Sequence, residues 1–326
     1  MITIRVNVCG DHWINPEEVQ AQLDTADALE PVVFNFGAEG PSLAAIGLMD
    51  MINAHCNTTG RSLTSLHVVA WPNTAEKLQV GSVELCKISH FFSKSDVYRR
   101  DQFLPSTHEH LFGCFIGRRT IARGVILYDL WKHHKQHTLL SCMYNRNINV
   151  WEKSKGKNLE SLDQWVPTDQ QADFVDWWKS CPVSSIDQHS VADQYRDGQN
   201  TNLDLLAHYH KFDIEIVCET YTLGETFFPT EKTIRPIMGK KPWLIYGPEN
   251  YLRRLQELGF QTFDTLWSEE YDQFSGPVRW QYIQQVIQNL TNLSTADRCA
   301  LLDKASLITE HNWKVLEDLA RKHSTK

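Results

Sequence analysis

The sequence predicts an α/β protein of two doubly wound domains facing across a cleft. Three observations predict it. Residues 2–71 alternate short apolar runs with amphipathic stretches, the pattern of a parallel sheet covered by helices. The periodicity breaks over residues 90–110, where Tyr98-Arg99-Arg100-Asp101 and Leu104-Pro105 read as a connector. A second series of the same kind starts at residue 111. The expected domains are therefore 1–105 and 106–326, with C-terminal helices that can cross back to the first domain.

In chain order, residues 2–9 read as the first strand, followed by Gly10-Asp11-His12. Asn15 is the expected N-cap of a helix to about residue 28, with Pro16 at its first position. A second strand, 31–36, leads through a turn at 37–41 to a helix over 42–56, and 66–71 is a third strand. The turns GDH and GAEG carry glycines that suit either close approach to a ligand or an ordinary strand-to-helix turn. In the second series, 111–116 is a strand, 117–120 a turn and 121–134 an amphipathic helix. Residues 138–143 form the next strand, 144–149 a loop, and 170–179 and 202–211 two helices. Helices over 277–290 and 295–322 close the chain.

Composition sets outer limits. The 326 residues, 42% hydrophobic and 22% charged, suit a folded protein with two domains of ordinary size. No run approaches the length of a membrane-spanning helix. Residues 1–9 read as a strand rather than a signal peptide, since Arg5 and Asn7 interrupt them and no basic region precedes them. The eight cysteines form no C-x-x-C pair, and four lie in apolar strand-like runs. The expectation is reduced thiols, a cytoplasmic location and no structural zinc. A net charge of −8 argues against a long nucleic-acid partner, although a local basic groove can coexist with an acidic whole.

Residues 212–263 hold the richest signal. Two apolar runs, 214–218 and 242–246, each suit a buried parallel strand. Between them lies a polar loop, 219–229, and then a helix over 230–239 with Thr230 as N-cap and Gly239 as the expected C′ residue. Ligands of open parallel sheets bind at the carboxyl ends of the strands, where this unit presents Glu219, Glu231 and Lys232. A lysine in the first turn of a helix opposes the helix dipole, so its placement points to an anionic ligand.

The order of a carboxylate, a polar loop and Thr230-Glu231-Lys232 at a helix start resembles the donor-binding motif of α-1,3-fucosyltransferases. More loosely it is similar to exostosin-like glycosyltransferases and to uncharacterised glycosyltransferases of phages and giant viruses. The family usually reads Tyr-Val-Thr-Glu-Lys, whereas Phe228-Pro229 precede Thr230 here. The resemblance implies that Glu231 holds the ribose of a nucleoside diphosphate sugar and Lys232 its diphosphate, with Glu219 in the preceding acidic position. It implies two Rossmann-like domains facing across a cleft, the GT-B arrangement. The other main glycosyltransferase fold commonly uses Asp-x-Asp to hold a divalent metal, and this chain has none. No metal and no other cofactor is therefore expected, and protein cations would meet the charge of the leaving diphosphate.

Arg123, just inside the helix after the 111–116 strand, matches an arginine that contacts the donor diphosphate in the resembled family. Arg118 and Arg119 in the preceding turn compete for that role, and a solvated helix arginine is the plain alternative. Arg146, in the loop after the 138–143 strand, is a further candidate donor contact. The histidines show no metal spacing, Trp165 and Trp177-Trp178 read as packing residues, and no G-x-G-x-x-G is present. An acceptor hydroxyl needs a base to take its proton. Asp11, His12, Glu39 and Glu76 all follow expected strands, and Asp11 and Glu76 are favoured.

The expected function is transfer of a sugar from a nucleoside diphosphate sugar to a hydroxyl acceptor, a glycan or related molecule. The acceptor could instead be a hydroxymethylated base in phage-type DNA. A non-catalytic nucleotide- or glycan-binding module is the remaining alternative.

Overall fold

The computed structural model describes residues 1–27, 29–37, 39–84, 106–117, 120–142, 162–180, 183 and 203–324. It is α/β, with two separate sheets of parallel strands. The chain divides into two compact units. The first comprises Met1–Ile88, Thr220–Phe228 and Gly247–Tyr251, and the second comprises the rest.

In the first unit, β1 (Ile2–Arg5) is followed by a small antiparallel hairpin, β2 (Val8–Cys9) and β3 (His12–Trp13). The expected continuous strand over 2–9 is thus broken, because Gly10 takes a left-handed φ of 61° and turns the chain back at Gly10-Asp11. Helix α1 (Pro16–Thr25) has Pro at its start as expected, but Asn15 makes no side-chain cap. Its amide instead ties the hairpin, accepting from the Asn7 N–H at 2.9 Å and donating to the Arg5 carbonyl at 3.0 Å. Strand β4 (Val32–Asn35) precedes α2 (Leu48–Thr59). The helix expected from residue 42 begins only at Leu48, since Gly47 has φ 79° and ends a turn that starts at Ser42.

Strands β5 (Leu66–Val69) and β6 (Ser82–Val83) complete a sheet ordered β1-β4-β5-β6, all parallel. This order follows the chain, so among the described strands the sheet has no point of reversal. Ile4, Val32, Phe34, Leu66 and Val68 from the sheet and Val19, Leu23 and Ile52 from the helices are fully buried. Each such side chain contributes about 1.5–3 kcal/mol.

The second unit begins with β7 (His110–Ile116), α3 (Ile121–His133) and β8 (Thr138–Cys142). Helices α4 (Leu162–Trp165) and α5 (Gln171–Ser180) and a 3₁₀ segment, Leu203–Lys211, lead to β9 (Phe212–Cys218). Then come α6 (Glu231–Met238), β10 (Trp243–Tyr246), α7 (Tyr251–Glu257), α8 (Gly276–Thr291) and α9 (Thr295–Ser324). Among the described residues, no helix is long and apolar enough to cross a membrane.

The second sheet is ordered β10-β9-β7-β8, all parallel. Every residue of β9 and β10 is buried, as expected for strands covered on both faces. Two glycines permit the packing. A Cβ on Gly113 would lie 2.8 Å from the Phe212 ring, and one on Gly124 would lie 2.2 Å from Trp178. Gly124 therefore seats α5 on α3 through Trp178, with Phe174, Trp177 and Tyr128 in the same aromatic cluster.

Candidate functional site

The strand order singles out one edge of the second sheet. Chain connections run from β7 outward to β8, then return to β9 on the other side and continue to β10. The direction of winding reverses between β7 and β9. In open α/β sheets that reversal leaves a crevice at the carboxyl ends of the two strands, the usual ligand position. The segments leaving β7 and β9 carry Arg123 and Glu219, and the next helix carries Glu231 and Lys232.

Helix α3 starts at this edge. Thr120 is its N-cap, and the Thr120 hydroxyl accepts from the Arg123 N–H at 3.3 Å. Arg123 is 3% exposed, so the alternative of a solvated helix arginine does not hold. Its guanidinium donates to the carbonyls of Cys218 at 3.1 Å and Glu219 at 2.6 Å. A cation is thereby fixed against the carboxyl end of β9.

Helix α6 is held to the same strand end by Glu219, which is 1% exposed. The Glu219 carboxylate accepts from the Thr230 N–H at 3.2 Å and from the hydroxyls of Thr230 and Thr233, each at 2.6 Å. Thr230 is the N-cap the sequence predicts, its hydroxyl accepting from the Lys232 N–H at 3.3 Å. Glu219 is thus a buried clasp for the helix start. At the other end Gly239 does not hold the left-handed position expected of it. Its φ is −74°, and Lys240 takes the left-handed turn at φ 49°. The Lys241 N–H donates to the Pro236 carbonyl and the Lys240 N–H to Ile237, closing a Schellman-type end one residue later than expected. An ion pair between Lys240 and Glu310 of α9 anchors that strained residue.

Glu231 and Lys232 pair at 2.6 Å, with their side chains 18% and 13% exposed. Burial pushes the Glu231 carboxyl upward, but the Lys232 and Arg235 cations outweigh it and hold it below the usual carboxylate range. Burial lowers the Lys232 ammonium, Glu231 opposes that, and the Arg123 charge adds to the lowering. Lys232 and Arg123 therefore repel one another at the start of a helix, an arrangement that favours a bound anion.

Behind this edge lies a network that the sequence reading missed. Glu215 of β9, 1% exposed, accepts from Arg235 of α6 at 3.4 Å and from the Tyr209 hydroxyl. Burial raises the Glu215 carboxyl to about 7, against the pull of Arg235. Burial also raises the Tyr209 phenol well above its ordinary value, with Glu215 adding to the rise. Arg235, 3% exposed, stays charged because Tyr209, Glu215 and Glu231 outweigh its desolvation. The signal was present in FDIEIVC, where two acids interrupt an apolar strand and demand buried partners.

The remaining expected residues divide in two groups. Arg118, Arg119 and Arg146 lie outside the described residues. Asp11, Glu39 and Glu76 belong to the first unit. The Asp11 carboxylate accepts from the Thr222 N–H at 2.6 Å and its hydroxyl at 2.9 Å. Glu39 accepts from the Tyr221 hydroxyl. Glu76 accepts from the N–H groups of Leu43 at 2.6 Å and Ala44 at 2.9 Å, capping the turn before α2, and burial raises its carboxyl above the ordinary range. These are the bonds of carboxylates that hold loops in place. His12 lies on β3.

Among the described residues, no group of three or more His, Cys, Asp or Glu side chains could hold a metal ion. What the second unit gathers is two cations, one carboxylate at the surface and the start of an eight-residue helix, all at one strand edge. Compared with protein-family models and with curated proteins, the chain matches none.

Proposed function

We propose that this chain is a glycosyltransferase that binds a nucleoside diphosphate sugar on its second unit and transfers the sugar to a hydroxyl acceptor without a metal. Its two α/β units would be the Rossmann-like halves of a GT-B enzyme. One observation carries the reading: Arg123, Lys232 and the N-terminus of α6 converge at the switch point of the second sheet, beside the Glu231 carboxylate. Glu231 would accept from the ribose hydroxyls. Lys232, on a flexible stem, would turn from Glu231 to the diphosphate. Arg123, bonded to backbone carbonyls, would contribute through its charge. As the bond between the anomeric carbon and the phosphate oxygen breaks, the acceptor oxygen bonds to that carbon, its proton passes to a general base, and negative charge grows on the diphosphate. Fixed cations stabilise that change more than the ground state.

Binding without transfer is the second reading. It is favoured by the hydrogen bonds of Asp11 and Glu76, which tie both expected bases to backbone amides. Donor hydrolysis or transfer to a panel of glycans and hydroxymethylated DNA separates the two.

The first test is thermal shift with nucleoside diphosphates and free nucleosides, with and without a chelator. A ligand at 100 times its Kd adds about 2.7 kcal/mol to the native state. The diphosphate shift should persist with the chelator and fall in Lys232→Ala, while the free-nucleoside shift stays. Equal loss for both ligands removes Lys232 from the phosphate role, and no shift with any nucleoside diphosphate refutes the function.

A further inference from the structure

The amino ends of the second sheet carry a charge pattern unlike the rest of the chain. Overall, 40 acids outnumber 32 lysines and arginines. The four segments that lead into the strands reverse this. Residues 106–110, 132–137, 208–211 and 240–241 hold five lysines and seven of the 14 histidines, against one acid, Glu109. All four strands are parallel, so their starts share one edge. In sheet order that edge runs from Lys240-Lys241, past His208, His210 and Lys211, to His108 and His110, and ends at the 132–137 turn. Hydrogen bonds stitch the segments together. The Lys241 ammonium donates to the Phe212 carbonyl at 2.6 Å and to the Ser106 hydroxyl at 3.3 Å. The Thr107 N–H donates to the His210 carbonyl at 2.7 Å, and the Phe112 N–H to the His137 carbonyl at 2.9 Å.

Four strands make this row about 15 Å long, and the length of β7 sets it roughly 20 Å from the carboxyl ends, where the candidate site lies. It is thus a separate surface and does not rest on the proposed function. Lys132, His133, Lys135 and His108 are exposed, and the other cations of the row are half-buried. The acids around it are engaged: Asp213 with His108, Asp129 with His133, Glu310 with Lys240, and Glu109 with the Thr107 hydroxyl. We propose that this edge docks the phosphate backbone of a nucleic-acid duplex, and that it does so under mildly acidic conditions. A regular line of phosphates is the complement of a row of cations. None of the exposed large hydrophobic side chains lies in these segments, so a membrane would find no anchor and a protein partner no apolar centre.

The lysines supply a constant charge and the histidines a conditional one. Burial holds His134 below its ordinary value, Asp129 opposes that, and His133 and His137 add to the lowering. Burial also lowers His208, with Lys211 and His210 adding to it. Phosphates facing the row favour the protonated forms, so docking takes up protons and tightens as pH falls.

The experiment is fluorescence anisotropy of a short labelled DNA duplex of mixed sequence, titrated with the full chain at low salt. Affinity should rise by about tenfold or more from about pH 7.5 to about pH 5.5. Lys135→Gln with Lys211→Gln should weaken binding at both pH values and flatten the slope of log Kd against log salt by about two. His133→Gln with His137→Gln should leave the affinity at the higher pH within about twofold and remove much of the gain at the lower one. His67→Gln, a histidine of the first unit, should change neither. No binding at the lower pH, or binding there that either pair of substitutions leaves unchanged, overturns the proposal. Tighter binding to phosphatidylserine vesicles or to polyglutamate than to the duplex, lost in the same variants, makes the occupant a membrane or an acidic protein and overturns the nucleic-acid assignment.

Discussion

Glu219→Ala is the most informative single change to the candidate site. The Glu219 side chain is buried and receives three hydrogen bonds, from the Thr230 N–H and from the hydroxyls of Thr230 and Thr233. Hydrogen bonds to charged groups contribute about 1.5–3 kcal/mol each. The two hydroxyls can turn toward other acceptors, but the Thr230 N–H is fixed by the helix and loses its partner. The net cost is therefore about 3–5 kcal/mol rather than the full sum. For a unit of this size each kcal/mol lowers the melting temperature by roughly 2–4 °C. Calorimetry should show the transition of the second unit falling by roughly 6–20 °C. Hydrogen exchange should accelerate first at the amides of Thr230, Glu231 and Lys232, which open when α6 detaches from β9. Glu219→Gln, which keeps the shape and one good acceptor, should lose less. Melting within about 2 °C of wild type, with unchanged exchange at those amides, would refute the clasp.

The Glu215 carboxyl, raised from 4.5 to about 7, binds a proton in the folded state that the unfolded chain has released. Its contribution is fully present below about pH 4.5 and is lost as pH rises through about 7, with a slope of up to about 1.4 kcal/mol per pH unit. Denaturant unfolding across pH 5–7 should show that decline, and Glu215→Gln should flatten it; an unchanged slope counts against the raised value. Gly124→Ala should destabilise the second unit by about 1–3 kcal/mol, because its Cβ would stand 2.2 Å from the Trp178 ring, and tryptophan fluorescence should follow the loss. Glu76→Gln should cost about 1–2 kcal/mol through the Leu43 and Ala44 amides; a catalytic base would instead show lost transfer with stability intact.

Local chemistry was legible in the sequence. Thr230 caps α6, Thr120 starts α3, and β9 and β10 lie where apolar runs end at polar loops, because caps and hydrophobic period act over a few residues. Glycine misled where its left-handed φ could not be foreseen, as at Gly10 and Gly47, and where Lys240 took that role from Gly239. What the sequence could not yield was strand order and long-range pairing. The reversal between β7 and β9, which brings Arg123 to the carbonyl of Glu219, depends on which strands are neighbours in the sheet. Glu215 meets Arg235 across twenty residues, and Asp11 meets Thr222 across 211, through the packing of separate elements. A charged residue in an apolar run announces that it needs a partner. Which partner it finds is decided when burial forces every such group to be satisfied at once.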